Sequence, residues 1–173
     1  MFSIIKSFFL RKIINKKVLE LNTDVPNEKI KMIGIIVDTT YFFDTEKLVS
    51  EIKSKNIPFK DIKVLSYNDK VKHKDSLTPL SYSIKDISIN GEIKVIEVND
   101  FLNYPFDLLI SYFDEEKLPL LLAVSSSKAK FKVGFSKIDF KFNHFIIDSD
   151  TKEYINFISE LFKYLKILNK IEA

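Results

Sequence analysis

The chain has no cysteine and no tryptophan, one arginine, and only three glycines among its 173 residues. Without cysteine there are no disulfides, thiolate zinc centres or thiol nucleophiles, and such a chain suits a reducing, cytoplasmic setting. Gly34, Gly91 and Gly134 stand too far apart for a glycine-rich phosphate cradle. Walker and dinucleotide fingerprints are therefore absent, classical nucleotide binding is not expected, and no cofactor is implied. A lone Arg11 leaves little of the bidentate fork that phosphate and nucleic-acid sites favour, so nucleic acid is not an expected partner. No run approaches the roughly 20 apolar residues of a membrane-spanning helix. Residues 1–25 lack the uninterrupted apolar stretch and small-residue cleavage site of a signal peptide.

What is present describes one folded domain. Hydrophobic residues make up 46% and charged residues 29%, a globular balance, with 16 Phe and 7 Tyr to fill a core. The net charge of +3 is uneven, because Lys6, Arg11, Lys12, Lys16 and Lys17 precede the first acid, Glu20. Residues 2–20 read as a helix, with Ile5, Phe9 and Ile13 on its apolar side and Leu10 and Ile14 falling among the bases. Three roles stand open for it: packing on the domain, membrane-surface contact through its five bases, or binding of a partner. The expected division is a basic leader helix over 1–22 and a single α/β domain over 30–173.

The domain's pattern alternates strands and helices. Lys31 to Asp38 is an apolar run suited to a strand buried on both faces. Asp44 is placed to cap a helix over 45–55, and a second strand follows at 61–66. Residues 67–92 read as an irregular excursion with a short strand, 93–98 as an edge strand, and 100–103 as a helical turn. Then come a strand at 106–112, a helix at 118–127 with Pro119 in its first turn, strands at 131–135 and 145–148, and a long helix from Asp150, its expected cap, to about Asn169. This predicts a three-layer, Rossmann-like α/β fold around a mostly parallel sheet of five or six strands.

In such sheets ligands bind beyond the carboxyl ends of the strands. Asp38-Thr39-Thr40, Asp114, Ser136 and Asp148 follow strands and form a candidate ligand or metal rim. With Asp150 assigned to a cap, Asp38, Asp114 and Asp148 are the carboxylates placed to converge, where they would hold Mg²⁺ or divide acid from base. The competing reading is that such acids turn the chain or cap helices. No residue stands out as a nucleophile: Ser125-Ser126-Ser127 reads as a helix end, and His73 and His144 as separate surface or loop residues. Lys128, Lys130 and Lys132 alternate as on a solvated or edge strand. The last helix carries apolar residues on more than one face, so Phe157, Phe162, Tyr164 and Ile167 form a candidate surface for a homodimer or protein partner.

Several local likenesses accompany these readings. Ile-Ile-Val-Asp38-Thr39-Thr40 resembles the first motif of PIN-type nucleases, where the Asp helps bind a metal, and loosely that of haloacid-dehalogenase-like phosphatases, whose second Asp is missing here. Phe106 to Tyr112, Leu118 to Leu122, Ser127 to Ser136 and Glu160 to Lys170 together resemble a bacterial domain-of-unknown-function family of similar length with a basic leader helix. Asp107 to Phe135 is more distantly similar to the N-terminal half of heptosyltransferase-like glycosyltransferases, which implies a half that binds or scaffolds. Two function classes follow: a non-catalytic binding or interaction module, or a metal-dependent hydrolase using Asp38, Asp114 and Asp148.

Overall fold

The computed structural model describes residues 3–21, 23–70 and 79–172; His73 lies outside them. The apolar run after Lys31 forms β1 (Met32–Asp38), with its five central residues buried. Strand alternation sends Ile33, Ile35 and Val37 into one core and Ile36 into another, on the opposite face of the sheet. Around β1 the chain builds β2 (Asp61–Tyr67), β3 (Ser81–Tyr82), β4 (Leu108–Tyr112), β5 (Lys132–Phe135) and β6 (Phe145–Ile147). The six strands run in the order β3-β2-β1-β4-β5-β6, and every pairing is parallel. Ile35 sits between Val64 of β2 and Ile110 of β4, which sets the central register.

Helices cover both faces, as an all-parallel sheet requires. Helices α1 (Ile4–Leu19), α3 (Ile96–Asn103) and α4 (Leu118–Ser126) pack one core, while α2 (Thr45–Lys53) and α5 (Tyr154–Ile167) pack the other. Pro119 stands in the first turn of α4, where its missing N–H costs no helical bond. Gly34 allows a close approach: a Cβ there would meet the Phe106 ring at 2.7 Å. The whole is a three-layer, Rossmann-like α/β fold.

Four local expectations are corrected. Residues 93–98 are not an edge strand, since α3 starts at Ile96 and Ile93 makes only an isolated antiparallel bridge with Ile87. The β-branched residues favour a strand, but Val98, Phe101 and Leu102 form a helical stripe that packs into the core, and tertiary packing overrides propensity. Asp150 does not cap α5: its carboxylate accepts the Lys152 N–H at 2.9 Å in a turn one step earlier, and Glu153 holds the cap position. Helix α1 packs through Leu10 and Ile14, whereas Ile5 and Phe9 face solvent. Apolar residues lie all round that helix, so its sequence alone does not select the buried side. Lys132, finally, is fully buried on an interior strand, because its ammonium donates to the Val124 carbonyl at 2.6 Å near the end of α4.

Candidate functional site

Helices α2 and α4, which lead out of β1 and β4, lie on opposite faces of the sheet. That divergence opens a crevice beyond the carboxyl ends of these two neighbouring strands. A cavity of about 250 Å³ occupies it. Tyr41, Phe42, Tyr112 and Phe113 supply its aromatic wall, and Asp38, Asp114, Glu115 and Asp150 its carboxylates, with Thr151 and Lys152 closing one side.

Asp38 is tightly committed. One carboxylate oxygen accepts the Thr40 N–H at 3.0 Å, and the other meets the Lys117 ammonium at 2.6 Å. Lys117 reaches across from the start of α4 and also bonds Asp69 at 2.7 Å, just past β2. A cation at a helix N-terminus opposes the helix dipole, and these two carboxylates offset that. Burial works against the charge on Lys117, yet its hydrogen bonds to Asp38 and Asp69 outweigh burial and raise its pKa. Burial likewise opposes the charge on Asp69, but bonds from Lys117 and the Tyr67 hydroxyl hold it below the usual carboxylate value.

Thr39 and Thr40 stitch the turns after β1 and β2 together. The Thr39 hydroxyl donates to the Tyr67 carbonyl at 3.0 Å, and the Thr40 hydroxyl oxygen accepts the Asp69 N–H at 3.0 Å. Asn68 donates its side-chain amide to the Thr39 carbonyl at 3.1 Å. Asp38, Thr39 and Thr40 thus form one polar network with Tyr67, Asn68, Asp69 and Lys117.

The other rim residues are held separately. Asp114 shares the cavity with Asp38 and pairs with Lys137 at 3.2 Å. Asp148 accepts from the Ser136 hydroxyl at 2.9 Å and is not on the cavity wall. Among the described residues, no three carboxylate or imidazole side chains are grouped so as to hold a metal ion. Tyr112 donates its hydroxyl to the Thr151 carbonyl at 2.6 Å and packs its ring against Phe42, Phe135 and Phe157. Burial, then Asp150 and Asp114, raise its pKa, so the hydroxyl stays protonated.

On α5, Phe157 and Phe162 belong to the domain's own core, and Tyr164 packs against Phe145, whereas Ile167 is exposed. A second cavity of about 340 Å³ lies at the opposite edge, between the ends of α1 and α4, lined by Lys17, Ser125 to Ser127, Lys128 and His144 among others. His144 stacks on Phe131 and accepts the Lys132 N–H at Nδ1. Beside this cavity, burial, then Lys128 and Lys17, push the Lys132 ammonium down to about 8.

Sequence reasoning missed Lys117 and Asp69. Asp69 follows a strand and obeys the strand-end rule that marked Asp38. Lys117 has no local signal, since only the fold brings it across to β1. The model of a family of unknown function, DUF6913, matches residues 6–168. No curated protein and no solved structure matches the chain.

Proposed function

The chain belongs to that family of unknown function, DUF6913, and we propose that it is a non-catalytic α/β binding module that takes a small organic cation in the crevice between β1 and β4. The observation that carries this reading is Lys117. Its ammonium lies between Asp38 and Asp69 and offsets one of their two negative charges, so Asp38, the first acid of the hydrolase reading, already has a cation of the chain's own. What remains open to a ligand is an aromatic-walled cavity lined also by Glu115, Asp150 and Asp114, the last of these paired with Lys137. Carboxylates and ring faces together favour a cationic group. Tyr41 already has Lys70 and Lys117 over its ring, at 4.7 and 5.5 Å from the centroid.

A volume of about 250 Å³ suits a molecule of the size of an aryl amine. A chain without cysteine also suits the reducing cytoplasm. Titration of the isotope-labelled protein with tyramine tests the reading. Saturable amide shifts at Tyr112 to Glu115 and Thr151 to Lys152 are expected, and their absence argues against a cation crevice. The competing hydrolase reading is tested by calorimetry with Mg²⁺ and Mn²⁺. No divalent binding is expected, and clear binding that disappears in Asp38→Asn would overturn the module reading.

A further inference from the structure

Helix α1 is divided lengthwise as well as around its axis. Towards the domain it buries Leu10 and Ile14, sets Ile13 against Gly91, and turns Lys6 to the carbonyls of Ile84 and Ile87. On the opposite side its first two turns present Ile4, Ile5, Phe8 and Phe9, which are 88%, 62%, 55% and 46% exposed. Phe8 and Phe9 meet edge to face at 5.8 Å, so these side chains form a continuous knob and not scattered apolar residues. The next turns of the same side carry Arg11, Lys12, Asn15 and Lys16, all exposed. Lys12 folds back over the Phe8 ring at 4.9 Å, joining the two zones.

We infer that this side of α1 docks the protein on an anionic lipid bilayer, with the apolar knob in the interfacial layer and Arg11, Lys12 and Lys16 among the lipid phosphates. Charge complementarity selects this occupant. The helix carries five bases and no acid, which matches a negative surface of lipid headgroups. The inner side of the helix is already packed on the domain, so docking needs no folding of the segment and little conformational entropy is lost. Lys6 and Lys17 contribute least, being turned towards the domain and the amino-edge cavity.

The full chain is centrifuged with vesicles of phosphatidylcholine alone and with vesicles of phosphatidylcholine and phosphatidylserine in equal parts. Wild type is expected to sediment with the anionic vesicles only, and less so as salt is raised. Replacing both rings, Phe8→Ser with Phe9→Ser, is expected to weaken the partition about tenfold or more. Lys12→Glu with Lys16→Glu is expected to abolish it. All four side chains are exposed, so both variants should keep the wild-type melting temperature. The chain has no tryptophan, so Phe9→Trp is a single reporter, and its emission should shift to the blue when anionic vesicles are added. Three results would each overturn the inference. The first is wild type left in the supernatant with anionic vesicles; the second is binding unchanged by the paired serine substitutions. The third is a lipid-free dimer that the serine substitutions dissociate, which would make the knob a contact between two copies of this chain.

Discussion

The Lys117 ammonium lies 2.6 Å from a carboxylate oxygen of Asp38 and 2.7 Å from one of Asp69. One side chain from the N-cap position of a helix thereby ties the ends of two neighbouring strands, and it does so at the point where the sheet opens its crevice. The same bond decides how the strand-end acids are read: Asp38 is part of an internal ion pair before it is anything else.

Lys117→Met should therefore destabilise the fold and not merely alter its surface. It leaves two carboxylates without their cation in a half-buried setting. The expected loss is about 2 kcal/mol at neutral pH, below the value for a fully buried pair because Asp69 is partly exposed. The Asp69 pKa is lowered in the folded state, so its contribution is present above its unfolded value of 3.8 and fades as pH falls through the folded one. Urea unfolding of both proteins at neutral pH and near pH 3 should show the difference between them shrinking in acid. A constant difference would mean that the ion pair contributes nothing.

Gly34→Ala should be poorly tolerated. The new methyl would lie 2.7 Å from Phe106, which is fully buried and wedged between the rings of Phe101 and Tyr104. Overpacking of this kind costs about 1–3 kcal/mol. Adding Phe106→Leu should recover part of the loss, and thermal melts of the single and double variants measure the coupling.

Lys132 predicts a rise of stability with pH. Its folded pKa is pushed down to about 8 from 10.5, so between those values the unfolded chain binds more protons than the folded one. Stability should then increase as pH climbs through that window, by on the order of 3 kcal/mol if the whole shift is realised. Lys128 and Lys17 add positive charge nearby, so the comparison is made against Lys132→Met. Wild type should gain on the variant between pH 7 and pH 10 in denaturant unfolding. An unchanged gap would show that the buried amine keeps its ordinary pKa.

The two sides of α1 should differ sharply. Leu10 is fully buried in the core shared with α4, and Leu10→Ala should cost about 2–4 kcal/mol. Phe9 is nearly half exposed, and Phe9→Ala should cost well under 1 kcal/mol. Equal losses would mean that the helix packs through the side carrying Ile5 and Phe9.

Period and chain length made the central elements readable. The apolar runs before Asp38 and Tyr112 are buried on both faces, so their composition alone marks interior parallel strands, and Pro119 announces the first turn of α4. Elements whose identity depends on neighbours were harder to read. Val95, Ile96 and Val98 have strand-forming side chains, yet they open a helix because Val98, Phe101 and Leu102 find a core to fill. Strand β3 is two residues long and leaves almost no pattern to read.

The same division runs through the candidate site. Asp38, Thr39, Thr40 and Asp114 were visible as strand-end residues, because the rule that places ligands there depends only on element order. Their partners were not visible. Lys117 is 79 positions from Asp38, and a lysine at the start of a helix carries no mark of where its ammonium will reach. Sequence by itself determined the alternation of strands and helices, hence the parallel sheet, the two buried faces and the edge at which a site would lie. Tertiary structure alone decided which acids are already paired, which side of α1 meets solvent, and which apolar residues of α5 are core. Those outcomes depend on distances between residues far apart in the chain, and local periodicity carries no information about such distances.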